Sequence, residues 1–183
     1  LYKLKDNFYF IKYGIQNLYI WFPIIWKDRD WDHEYLYEII ELKIKNMLIL
    51  QKKHGEFTYN TLIIRDMKIC LKLLDRIIND HYMDERNNYV SHKHSFVRIE
   101  NSDLFEIESD LIKNNLSTYI NKYPLDMKKT YSYYYKILKK YDNDMNDERT
   151  QERLTLYCAQ LRKEKAKQLL FRILGDKVEN WCL

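Results

Sequence analysis

The chain has 183 residues, 46% hydrophobic and 32% charged, which is long and apolar enough to bury a core and excludes a disordered composition. A formal charge of +4, spread over interspersed lysines and acids, permits nucleic-acid binding without demanding it. Only three glycines and two prolines accompany 17 tyrosines, so tight hairpins should be scarce and long helices joined by polar loops are expected.

Taken in chain order, the first predicted helix runs from about Asn7 to Phe22, where Pro23 forces an end or a kink. Residues 8–26 are apolar, but Lys12, Gln16 and Asn17 interrupt them and acidic charge follows, so they read as a core or interfacial helix rather than a membrane span. A second helix should start near Asp30 to Asp32 and reach His54, with Leu36, Ile39, Ile40, Ile44, Met47 and Leu48 on one stripe and Gly55 as its stop. The third, about Thr61 to Tyr82, repeats the pattern through Ile63, Met67, Cys70, Leu71, Leu74, Ile77 and Ile78.

Residues 84–102 lose the helical period and read as an exposed loop. A fourth helix is expected from Asp103 to Asn121, ending before Pro124. Met127, Tyr131, Tyr134, Leu138 and Tyr141 mark a fifth. The acidic run at 142–148 breaks it and caps a last helix carrying Ala159, Ala166, Leu170 and Ile173, with Val178 and Trp181 beyond Gly175. The fold class expected is all-α, a single domain over residues 1–183 built as a bundle of five or six helices, with the aromatic N-terminal helix packed across it.

The stretch WFPIIWKDRDWDHE, residues 21–34, concentrates indoles and acids. Asp32 as an N-cap can accept the orphan amides of a helix start, and Trp31 can pack on Leu36 as a hydrophobic staple. Trp21 and Trp26, with Trp31, then form an aromatic corner that is the candidate partner interface. A calcium loop would need glycine where His33 stands and glutamate where Ile39 stands. The second histidine of a zinc-protease motif is replaced by Tyr37, and no histidine has glutamate three residues before it.

His92 and His94, on one side of an extended segment, are weak metal candidates with His81, and would need the Asp28 to Asp32 corner to make a hydrolase. Glu41-Leu42-Lys43 matches the tail of a nuclease signature but falls inside a helix. No two glycines are close enough for a phosphate-cradling loop, and no serine sits in a G-x-S-x-G elbow. Cys70, Cys158 and Cys182 show no metal spacing, and their odd number suits a reducing compartment.

The fifth helix offers another surface. Lys128, Lys129, Lys136, Lys139 and Lys140 lie opposite its apolar stripe, flanked by Tyr133 and Tyr135. Lysines neutralise phosphates and tyrosines stack on bases, so Lys129, Tyr133, Tyr135, Lys136 and Lys140 are the candidate residues for single-stranded nucleic acid. Arg162, Lys163, Lys165 and Lys167 extend the basic ridge onto the last helix.

WFPIIWKDRDWDHEYLYEIIELKIKNM, then RDMKICLKLLDRI, then KEKAKQLLFRILGDKVENW, together resemble a group of small proteins encoded by tailed bacteriophages and prophages, over most of the chain. Members end in two adjacent tryptophans and an acid, where this chain has Asn180-Trp181-Cys182-Leu183. The resemblance implies a viral origin and no particular activity.

The reading that follows is a phage-encoded, non-enzymatic protein that binds another macromolecule in the cytoplasm of the infected bacterial host, either a host protein, such as a defence protein, or a component of the particle. No cofactor is expected, and self-association through aromatic residues fits the same picture. A nucleic-acid-binding accessory protein and a metal-dependent hydrolase are the alternatives.

Overall fold

The computed structural model describes residues 2–27, 34–54, 59–99, 104–140 and 148–181, with side chains outside the description at 2–7, 54, 59–60, 108–113, 134–140 and 148–149. In chain order the elements are α1 (Tyr2–Ile25), α2 (Glu34–His54), α3 (Tyr59–Ile78), α4 (His81–Asn87), β1 (Val90–Arg98), β2 (Phe105–Asn114), α5 (Leu116–Lys122), α6 (Pro124–Lys140), α7 (Glu148–Lys177) and a 3-10 turn (Val178–Trp181). The chain is mostly helical, as expected, but a two-stranded sheet accompanies the helices, and among the described residues there are seven α-helices rather than five or six.

The chain divides into two compact units, Leu1–Leu74 with Val178–Leu183, and Asp75–Lys177. In the first, the predicted α3 stripe is buried through Ile63, Met67, Cys70 and Leu74, whereas the α2 stripe is buried only at Ile44 and Leu48, with Ile39, Ile40 and Met47 half-buried and Leu36 exposed. These residues recur every three or four positions, so one face of each helix leaves water, and each large side chain contributes about 1.5–3 kcal/mol. Gln51 continues the α2 stripe and is buried too; its amide Nε2 donates to the Trp181 carbonyl at 2.9 Å, tying α2 to a residue 130 positions away. Trp181 is itself buried.

Helix α1 behaves differently. It runs on through Pro23 to Ile25 instead of ending at Phe22, and the Trp26 amide still donates to the Phe22 carbonyl at 2.8 Å. Proline removes the amide donor that would meet the Tyr19 carbonyl, and the helix continues for only two residues beyond it. From Phe8 to Trp26 every side chain is exposed except Trp21 and Ile24, which are half-buried. The helix therefore presents apolar rings on all sides instead of burying a stripe across a bundle.

In the second unit α4, α5 and α6 each lie against α7. Tyr119, Met127, Leu154 and Cys158 form its core, with Tyr89, Ile120 and Tyr123 packed on it. The third predicted helix is divided at Asp80, which takes the left-handed conformation (φ 47°, ψ 34°), so α4 begins as a separate short helix at His81. Aspartate tolerates that conformation better than most residues. Its carboxylate also accepts from Lys163 Nζ at 2.9 Å, which fixes the turn against α7. Pro124 occupies the first position of α6, where its missing amide is not needed, and Asp126 follows in the first turn.

The expected loop at 84–102 and the expected helix from Asp103 are both corrected. Over the described residues the first is the end of α4 plus β1, and the second is β2 followed by α5, with 100–103 outside the description. The strands pair antiparallel with Phe96 opposite Ile107 and Arg98 opposite Phe105. Leu104, Ile107 and Leu111 have helical spacing. Phe105, Ile107 and Leu111 also fit a period of two, and β1 supplies Phe96 as the apolar partner of Ile107. Ile99 N–H donates to the Leu104 carbonyl at 3.1 Å, extending the ladder beyond the strands.

Candidate functional site

Two features of the second unit bring functional side chains together. The first is centred on Glu85 of α4. Its Oε1 accepts from Lys122 Nζ at 2.6 Å and from the Tyr123 hydroxyl, and its Oε2 accepts from both terminal nitrogens of Arg162 at 3.1 Å. Arg76 approaches the same carboxylate at 3.7 Å and lies over the Tyr82 ring at 4.6 Å. Arg162 stacks on the Tyr123 ring, 3.5 Å from its centroid, and donates to the Tyr119 hydroxyl at 3.4 Å.

These contacts set the protonation states. Partial burial raises the Glu85 pKa, but hydrogen bonds from Lys122 and Tyr123 and the charge of Arg162 outweigh it, holding the carboxyl at about 2. Burial pushes the Tyr119 phenol up to about 12, against a lowering by its hydrogen bond from Arg162. The Lys122 ammonium is raised by its hydrogen bond to Glu85. A carboxylate saturated by donors and ionised far below neutral pH is poorly suited to proton transfer. The arrangement instead clamps α4, α5 and α7 together.

The second feature is a groove of about 430 Å³ between α6 and α7, lined by Lys129, Thr130 and Tyr133 from one helix and Tyr157, Gln160, Leu161 and Glu164 from the other. The two sets have matching sequence logic. Positions 126, 129, 130 and 133 on α6, and 157, 160, 161 and 164 on α7, follow the i, i+3, i+4, i+7 spacing that stacks side chains on one helix face. Met127 on α6 and Leu154 and Cys158 on α7 fill the core, leaving these neighbouring faces at the rim. Thr130 is buried at the floor, its hydroxyl donating to the Asp126 carbonyl at 2.8 Å, while Tyr133 is 71% exposed.

Charge around the groove is uneven. The Glu164 carboxylate accepts from Lys167 Nζ at 2.7 Å, and Asp126 is bound by Lys165. Lys128 and Lys129 are exposed, and among the described residues neither has an ion-pair partner. Among the described residues the rim therefore carries positive charge on α6 without an acidic partner.

Of the nucleic-acid candidates, Lys129 and Tyr133 meet in this groove. The side chains of Tyr135, Lys136 and Lys140 lie outside the described residues. The expected fifth-helix stripe is corrected in part, since Met127 and Thr130 are buried but Tyr131 is exposed. Nor does the basic ridge extend over α7, because Arg162, Lys163, Lys165 and Lys167 are engaged by Glu85, Asp80, Asp126 and Glu164. Tyr157, Gln160 and Leu161 escaped the sequence reading, although their spacing with Glu164 would have marked them as one helical face.

At the candidate partner interface, Trp26 is exposed and tilted against Phe22 with ring centroids 5.3 Å apart, and Trp21 is half-buried. Trp31 and the Asp28 to Asp32 corner, including the proposed Asp32 cap, lie outside the described residues.

The histidines are divided. His81 faces Asp75 at 3.7 Å, while the His92 and His94 rings stack 6.1 Å apart and His92 Nε2 meets the Glu152 carboxylate at 2.8 Å. Among the described residues no three histidine, cysteine, aspartate or glutamate side chains are gathered as a metal ion would require. Glu41 of the nuclease-like tripeptide pairs with Lys45 one turn along α2, on a helix rather than a strand. Cys70 and Cys158 are buried, and burial pushes the Cys158 thiol up, away from reactivity.

No helix among the described residues is long and apolar enough to cross a membrane. No family model, curated protein or solved structure matches this chain.

Proposed function

We propose that this is a non-enzymatic, phage-encoded protein that acts by binding another protein in the infected bacterial cell, through the aromatic surface of α1. The observation that carries this reading is the exposure of that helix, with Phe10 at 82%, Tyr19 at 84% and Trp26 at 73%. Lys12, Gln16 and Asn17 interrupt the apolar surface of α1 without covering its rings, and contiguous exposed rings mark interaction surfaces. Tyrosine and tryptophan also supply large contact area at low entropic cost, which suits recognition. The viral origin rests on the resemblance of the WFPIIWKDRDWD segment and the two segments that follow it. A host defence protein or a particle component falls within the same class of partner.

The test is affinity capture of the tagged chain from infected cells, beside a variant carrying Phe10→Ser, Tyr19→Ser and Trp26→Ala. One stoichiometric partner, retained by the parent chain and lost by the variant, is the expected result. A parent chain that recovers nothing beyond an untagged control sinks the reading. Light scattering separates a foreign partner from a second copy of the chain.

A further inference from the structure

The groove between α6 and α7 lies within the second unit and owes nothing to α1. We infer that it is a binding site for one nucleotide unit of single-stranded nucleic acid, its base against Tyr133 and Tyr157 and its phosphate on Lys129. Four properties of the groove point to this occupant.

Its volume of about 430 Å³ falls in the range of pockets that enclose small organic groups, roughly 300–1,000 Å³. Two phenol rings, one from each helix, supply the flat apolar surfaces on which a base stacks without regard to its identity. Gln160 stands on the same wall with an amide that both donates and accepts, the chemistry a base edge requires. The charge balance then selects an anion. Glu164 and Asp126 are each occupied by a lysine of α7, so these carboxylates are neutralised locally, while Lys128 and Lys129 have no ion-pair partner among the described residues.

A polymer is favoured over a free nucleotide by the sequence of α6. Lys136, Lys139 and Lys140 follow Lys128 and Lys129 along the same helix, and successive phosphates need such a succession of cations. Base stacking with a tracking row of lysines is the pattern by which single strands are held without sequence preference.

The experiment uses the full chain and a fluorescently labelled oligothymidylate, with anisotropy read across a salt series. Tight binding at low salt that weakens steeply as salt rises is expected. Tyr133→Ala should weaken it by roughly tenfold or more, and Tyr133→Phe should leave it nearly intact, because the ring is what stacks. Lys129→Ala should reduce the salt slope by about 0.7 relative to the parent, whereas Lys68→Ala, an exposed lysine on α3, should not.

Tyr133 and Lys129 are exposed, so circular dichroism should show each variant folded. The absence of binding at low salt overturns the inference, as does binding that Tyr133→Ala and Lys129→Ala leave unchanged. Thymidine monophosphate competing as well as the oligomer would overturn the polymeric occupant.

Discussion

Tyr19 and Tyr119 are the same residue type on two helices of one chain, yet the first is 84% exposed and the second fully buried. The difference lies in what each helix has nearby. Tyr119 stacks edge-on between Tyr89 and Tyr123, with ring centroids at 5.5 and 5.1 Å, and its hydroxyl accepts from Arg162. The phenol is buried because its one polar group has a partner. Tyr19 belongs to a helix whose apolar residues face every direction, so no single packing partner can cover them. Tyrosine is structural here where a charged network receives its hydroxyl, and on α1, without such a network among the described residues, it stays exposed.

Four changes test that contrast, from the largest effect to the smallest. Tyr119→Ala should cost about 3–5 kcal/mol, seen in chemical denaturation as a lower midpoint with an unchanged slope. Glu85→Gln leaves the Arg162 guanidinium, whose side chain is 11% exposed, without its counter-charge, and should cost about 2–3 kcal/mol.

The acid limb follows from the same carboxylate. Its pKa is depressed from 4.5 to about 2, so its stabilisation is fully present above 4.5 and is lost as pH falls toward 2. The loss should amount to about 1–2 kcal/mol after allowing for solvent screening, and Glu85→Gln should flatten that limb of the profile. Tyr19→Ser should change stability by no more than about 0.5 kcal/mol while weakening partner capture. A large loss of stability from Tyr19→Ser, or none from Tyr119→Ala, would break the contrast.

The helical stripes were legible because their period is set by backbone geometry alone. Ile44, Leu48, Met67, Cys70 and Leu74 announce their burial by spacing. The hairpin was hidden because Leu104, Ile107 and Leu111 satisfy a helical period while their neighbours satisfy a period of two, and only pairing with β1 decides between them. The Glu85 cluster was invisible for a different reason. Its partners Lys122 and Arg162 stand 37 and 77 residues away, and nothing in a charged residue's own neighbourhood says which distant ion it will meet. The groove was half legible: Lys129 and Tyr133 stood out by charge and aromaticity, whereas Tyr157, Gln160 and Leu161 needed α7 to be laid beside α6.

The β1–β2 ladder contains one irregularity, at Ser91/His92, where Ser91 is opposite Lys113 and His92 opposite Leu111, so Ile112 has no counterpart. Had the ladder continued without that skip, Phe96 would face Glu108 and Arg98 would face Glu106. Instead Ile107 and Phe105 stand opposite them, and Phe96, Phe105 and Ile107 are all exposed. Because side chains alternate between the two sides of a strand, one supernumerary residue decides which set is brought together. Whether Phe96 meets an apolar side chain or a carboxylate, and whether Arg98 meets a ring or an acid, is thus a matter of counting.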